Sequence, residues 1–153
     1  MADTSLNENR LSILIWQISN LWQSKIKLSL RNSNLTFNEY LILETLYKLQ
    51  QIQKSITQQD ICKNSSVDRS VVSINIGKLE NKNLIEKLQP KDNRSNDLIL
   101  TNNGYLIVTT LIKSIEKQED IIFGKLESEI FNFTNSLKLL LGKKIRIKVK
   151  LND

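Results

Sequence analysis

The chain has no histidine, one cysteine, one proline and four glycines among its 153 residues. Each scarcity excludes something. Without histidine, the commonest general base and the commonest metal ligand are missing. With Cys62 as the single cysteine, an intramolecular disulfide cannot form and a reducing compartment is expected. The glycines are too scattered to build a loop that cradles phosphate. No apolar run approaches the roughly 18 residues of a membrane span. The opening MADTSLNENR has no basic segment leading into an apolar one, so no secretory signal is read there. The carboxylates do not gather around a glycine-framed site and no nucleophile–base pair can be named, so catalysis is not expected. Asp60, Asp68 and Glu80 read instead as helix-face or cap residues. The resulting expectation is a cytoplasmic protein that is not an enzyme, with no cofactor, no metal site and no membrane partner.

What remains is ordinary for a globular chain: 40% apolar and 25% charged residues, within the normal range. The length favours one domain and suffices for a core without staples. Net charge is +6, from 22 basic and 16 acidic side chains. A basic excess suggests a polyanionic partner, but its distribution weakens that reading. From Lys138 to Asp153 there are six basic side chains and one acid, +5 in all, which leaves only +1 for the rest.

The periodicity is helical almost throughout. Leu11, Leu14, Ile15, Ile18, Leu21, Trp22 and Ile26 recur at helical spacing, predicting a helix over about 11–30 that Asn32-Ser33-Asn34 ends. Thr36 and Glu39 have the spacing of a capping box and open a second helix carrying Tyr40, Leu43, Leu46, Tyr47 and Leu49 to about Gln51. Thr57 is a candidate cap for a short third helix anchored by Ile61, with Cys62 half-buried. Asn64-Ser65-Ser66 reads as a turn, and Asp68 as the cap of a fourth helix with Val72, Ile76 and Leu79 inward. Two helices joined by about four residues have helix-turn-helix spacing. The period then switches. Leu84–Leu88 and Leu98–Leu100 are strand-like and flank the polar stretch 89–97, which predicts a hairpin with a long tip. Thr101 is placed to cap a fifth helix bearing Leu106, Leu111, Ile112, Ile115, Ile122 and Leu126. A last helical stretch has Ile130, Phe133, Leu137, Leu140 and Leu141, and the tail from Lys144 alternates basic and apolar residues.

In order, Leu79-Glu80, Lys82-Asn83-Leu84-Ile85, Asp92-Asn93-Arg94 and Leu100-Thr101-Asn102-Asn103-Gly104 resemble the MarR family of bacterial transcription regulators over roughly Leu35 to Leu106. The resemblance implies a mainly α fold with a small β-hairpin wing: a winged helix-turn-helix flanked by N- and C-terminal dimerisation helices. Residues 1–153 then form one domain, with the winged core at about 35–104, dimerisation helices at about 9–32 and 105–142, and a basic tail at 143–153. The family usually has glycine where this chain has Asn83. That position follows a helix, and asparagine is the best other residue for a left-handed backbone.

The implied function is sequence-specific binding of double-stranded DNA by a homodimer, with the recognition helix in the major groove and the wing in the minor groove. Candidate DNA contacts are Thr57 and Gln58 at the start of helix three, where backbone N–H groups can meet a phosphate, and Arg69, Ser70, Val71, Ser73, Ile74 and Lys78 on the fourth helix. Asp92 and Arg94 at the wing tip complete the set, because a stiffened arginine suits a narrow minor groove. Val71 and Ile74 stand where the family often has threonine and arginine. Apolar side chains there can touch thymine methyls, so a preference for A·T-rich sites is expected. Leu14, Ile18, Leu21, Leu137, Leu140 and Leu141 are candidate interface residues, since the winged core cannot cover both flanking stripes. The family also implies a small-molecule effector, whose identity no residue reveals. Trp16, Trp22, Tyr40 and Tyr47 read either as its pocket or, more simply, as core. The alternative is a winged-helix module that binds protein rather than specific DNA.

Overall fold

The computed structural model describes residues 9–89 and 97–147. In chain order they form α1 (Leu11–Leu30), α2 (Phe37–Gln50), α3 (Gln58–Ser65), α4 (Arg69–Asn81), β1 (Ile85–Leu88), β2 (Asp97–Leu100), α5 (Asn102–Phe123), a 3-10 segment (Gly124–Glu129) and α6 (Ile130–Leu140). The chain divides into two compact units, Met1–Glu116 and Lys117–Asp153.

The first unit holds the core. Ile26 and Leu30 of α1, Tyr40, Ile42, Leu43 and Leu46 of α2, Ile61 of α3 and Val72, Ile76 and Leu79 of α4 are buried together. Ile85 and Leu98 from the strands and Val108, Leu111 and Ile115 from α5 complete it. Each such side chain contributes roughly 1.5–3 kcal/mol by leaving water. The strands form an antiparallel pair with Ile85 opposite Leu100 and Leu88 opposite Asp97. Three bonds tie β2 to the chain before α3: Leu98 N–H donates to Ile56 O (2.8 Å), Leu100 N–H to Gln50 Oε1 (3.1 Å), and Ser55 Oγ to Asp97 Oδ1 (2.6 Å).

The end of α4 is held by several bonds. Asn83 adopts the left-handed conformation, φ 57°. Its N–H donates to Glu80 O and the Leu84 N–H to Leu79 O, both at 3.0 Å. This pair of bonds is a Schellman motif and satisfies carbonyls that a helix end otherwise leaves unpaired. Lys82, just before, extends its ammonium to Asn34 O (2.6 Å) and to both oxygens of Glu39 (3.0 and 2.9 Å). Glu39 is 1% exposed. Its Oε2 also accepts the Thr36 N–H (2.8 Å), while Thr36 Oγ1 accepts the Glu39 N–H (3.2 Å). All three ammonium protons thus have acceptors. The pair sets a cation at the C-terminus of α4 against an anion at the N-terminus of α2, each favoured by its helix dipole.

Leu84 then holds α5. Its carbonyl accepts the Thr101 N–H (3.1 Å). Thr101 Oγ1 donates to Asn83 O (2.6 Å) and accepts the Gly104 N–H (3.0 Å), capping α5. A Cβ on Gly104 would lie 1.9 Å from Leu84 O, so only glycine fits where α5 crosses the turn.

The second unit is α-helical with no buried residue among those described. Glu127, at φ 46° and ψ −118°, breaks the helical path between the 3-10 segment and α6. Asn135 reaches the start of the tail: its Nδ2 donates to Arg146 O (2.7 Å) and its Oδ1 accepts the Arg146 N–H (3.1 Å).

Four details differ from the sequence expectation. Asn64 and Ser65 belong to α3, and the turn begins at Ser66, which is left-handed at φ 58°. Asp68 occupies the cap position of α4 but makes no side-chain cap bond. Leu106 is 63% exposed and Val108 takes the inward position instead. Leu126 lies in the 3-10 segment rather than in α5.

Gly104→Ala is expected to lower the urea midpoint with an unchanged m-value, by an amount at the upper end of the roughly 1–3 kcal/mol typical of overpacking. An unchanged midpoint contradicts the close approach. Lys82→Met is expected to cost about 2–3 kcal/mol, because it strands a buried carboxylate; the partial exposure of Lys82 keeps this below the range for fully buried pairs. Glu39→Gln leaves the charge at the wetter end and is expected to cost less. Thermal unfolding of both variants checks the order, and the reverse order contradicts it.

Candidate nucleic-acid interface

The helix-turn-helix is built from local rules. Thr57 and Asp60 form a capping box at α3: Thr57 N–H donates to Asp60 Oδ2 (2.8 Å) and Asp60 N–H to Thr57 Oγ1 (3.3 Å). Thr57 Oγ1 also donates to Asp60 Oδ2 (2.9 Å). Asp60, expected at a cap or helix-face position, is the cap partner. Its charge sits where Thr57 and Gln58 were expected to meet a phosphate, and it opposes an anion there. At the other end of α3 the Ser66 N–H bonds Cys62 O (3.1 Å), and Ser65 Oγ accepts the Val67 N–H (3.2 Å). Val67 packs on the core in front of α4, and Cys62 is half-buried against the same core.

α4 has two distinct sides. Val72, Asn75, Ile76 and Leu79 are buried. Asn75 escaped the sequence reading because a polar residue gives no apolar signal; its Nδ2 is satisfied by Val71 O (2.8 Å). On the opposite side Ser70, Ser73 and Asn81 are exposed and Ile74 is 61% exposed. Arg69 and Lys78 are exposed as well. At 100° per residue they lie on opposite flanks of the Ser70–Ser73–Ile74 face. Val71 is half-buried at the edge of that face, so it is less outward than its neighbour Ile74.

The strands place the wing beside α4, and Lys87 of β1 pairs with Glu80 of α4 at 3.1 Å. Asp92 and Arg94 lie outside the described residues. The structure therefore brings Arg69, Ser70, Ser73, Ile74 and Lys78 onto one outer surface, with Thr57 and Gln58 at the start of the neighbouring helix.

The four aromatic candidates do not share one environment. Tyr40 is in the core. Trp22 meets Phe37 edge-on at 5.3 Å, Tyr47 lies 5.7 Å from Tyr105, and Trp16 is mostly exposed. A hollow of about 460 Å³ between the end of α1 and the start of α2 is lined by Lys27, Arg31, Phe37 and Lys82 among others, and by none of the four. The six interface candidates, Leu14, Ile18, Leu21, Leu137, Leu140 and Leu141, are between 36% and 73% exposed in the single chain. Among the described residues no helix is long and apolar enough to cross a membrane, and no cluster of three His, Cys, Asp or Glu side chains could hold a metal.

Known proteins share this arrangement. The MarR family model matches residues 33–95, from the turn before α2 past β1. An uncharacterized HTH-type transcriptional regulator of Bacillus subtilis, YdcH, is 29% identical over 129 residues, which is 84% of this chain and 87% of that one. The crystal structure of the Staphylococcus aureus MepR–DNA complex superposes with a TM-score of 0.78 at 26% identity, covering 89% of this chain and 97% of MepR. Bordetella bronchiseptica BpsR, whose DNA binding is regulated by 6-hydroxynicotinic acid, shares the fold at a TM-score of 0.75 and 20% identity, covering 85% of this chain and 97% of BpsR. The chain is thus similar to the MarR family over its helix-turn-helix and first wing strand, and to an HTH-type regulator and the MepR fold over most of its length.

Proposed function

We propose that the protein is a cytoplasmic, sequence-specific DNA-binding transcription regulator that acts as a homodimer. In this reading residues 1–153 work as one MarR-like domain, with α4 in the major groove and the wing in the adjacent minor groove. The observation that carries the proposal is the two-sided α4. Its inner side is locked into the core, while Ser70, Ser73 and Ile74 stand exposed between Arg69 and Lys78. A helix presented in this way suits a groove about 12 Å wide. The MepR structure supports the reading because that regulator is seen with DNA. Arg69 and Lys78 would take phosphates, which position the protein; Ser70, Ser73 and Ile74 would face base edges. Arg94, held by Asp92, would enter the minor groove.

Dimerisation follows from what is left uncovered. The first turns of α1 and the whole of α6 carry large apolar side chains that the single chain leaves in water. Apolar patches of this extent mark interfaces, and a two-fold arrangement of the flanking helices would cover them. It would also present two copies of α4 to two half-sites.

One observation favours a second reading. Exposed Ile74 and a net charge of only +1 outside the tail also suit a winged helix that docks on protein. Selection of bound duplexes from a random pool separates the two. The DNA reading expects enrichment of A·T-rich sites, because Ile74 can meet thymine methyls, and an affinity that falls linearly in log salt, with a slope of about −0.9 per phosphate contact. An unenriched pool, or binding indifferent to salt, favours the protein-docking module.

A further inference from the structure

Gly77 lies inside α4, where glycine disfavours the helix by roughly fourfold to fivefold relative to alanine. Nothing among the described residues accounts for it. A Cβ built there meets no atom within 4 Å, whereas at Gly104 it would strike Leu84 O. Its φ is not among the positive values, so alanine fits the backbone too. Its position is informative. Ser70, Ser73, Ile74, Gly77 and Asn81 follow the i, i+3, i+4, i+7, i+11 spacing of one helix face, and Gly77 falls within it, opposite the buried Val72, Asn75, Ile76 and Leu79.

We propose that Gly77 is the close-approach point of α4 on DNA. The missing side chain lets the helix backbone settle against the wall of the major groove, and that depth brings Ser70, Ser73 and Ile74 to the bases. An interior glycine with empty space over it is a natural site for close approach by a partner. The inference rests on the DNA-binding reading above and deepens it.

The test uses the full-length protein and the duplex it selects from a random pool. Gly77→Ala is expected to raise the melting temperature by about 2–4 °C. The same variant is expected to bind the selected duplex at least tenfold more weakly and an unrelated duplex nearly as before. Gly77→Leu is expected to lose more on the selected duplex. Equal affinity of Gly77→Ala and parent for that duplex overturns the inference while leaving the DNA reading intact, as does a lowered melting temperature, which would give the glycine an internal role. A parent protein that selects no duplex overturns the DNA reading and this inference with it.

Discussion

The reversal of chain at Lys82-Asn83-Leu84 is the constraint on which the rest of the winged unit depends. Three consecutive residues fasten the end of α4 to the start of α2 and to α5. Lys82 ties it to Glu39 and Asn34 at the start of α2. Asn83 turns the backbone through the left-handed region. Leu84 offers the carbonyl against which Thr101 and Gly104 seat α5. A buried ion pair of this kind is weak as a source of net stability, since desolvation offsets most of the attraction. Its value here is geometric. The pair has good bonds in one arrangement only, and that arrangement fixes where α4 ends relative to α2. The outward face of α4 is thereby fixed as well.

That face differs from an arginine-rich reading surface. Serines, an isoleucine and a glycine occupy its middle, and the cations stand at its flanks. In the proposed DNA reading such a surface would make few direct bonds to guanine and would depend on fit: methyl contact, close approach and the shape of the groove. Reading by fit demands accurate placement, because dispersion contacts fade over fractions of an ångström. The rigid end of α4 and the demands of its face are thus parts of one design. In the proposed homodimer the apolar stripes on α1 and α6 would extend it to two copies, since two-fold pairing would set the separation of the two faces.

Much of this was legible in sequence because local rules governed it. The Thr36–Glu39 box, the inward trio Val72, Ile76 and Leu79, and the hairpin follow from spacings of a few residues, the left-handed Asn83 from the family's glycine at that helix end, and the structure has them as expected. What escaped was tertiary. Glu39 and Lys82 are 43 positions apart, and no periodicity announces that one carboxylate both caps a helix and holds a lysine. Asn75 is buried although polar, because its amide finds the Val71 carbonyl one turn back. Leu106 fits an amphipathic pattern but is exposed, and Val108 packs in its stead. Asp68 has the right position for a cap without making the bond, and Asp60 makes a bond that sequence left open. The outward cluster on α4 was visible as a list of residues; its sharpening into a face with Gly77 on it required the burial of the opposite side.

The most direct test of the account is a hydroxyl-radical footprint of the homodimer on its selected duplex. Two α4 faces held by two-fold symmetry predict two protected segments on each strand, centred about 10 base pairs apart and related by a pseudo-palindrome. A single protected segment, or uniform protection without half-sites, would contradict the claim that a symmetric pair of fixed α4 faces reads the DNA.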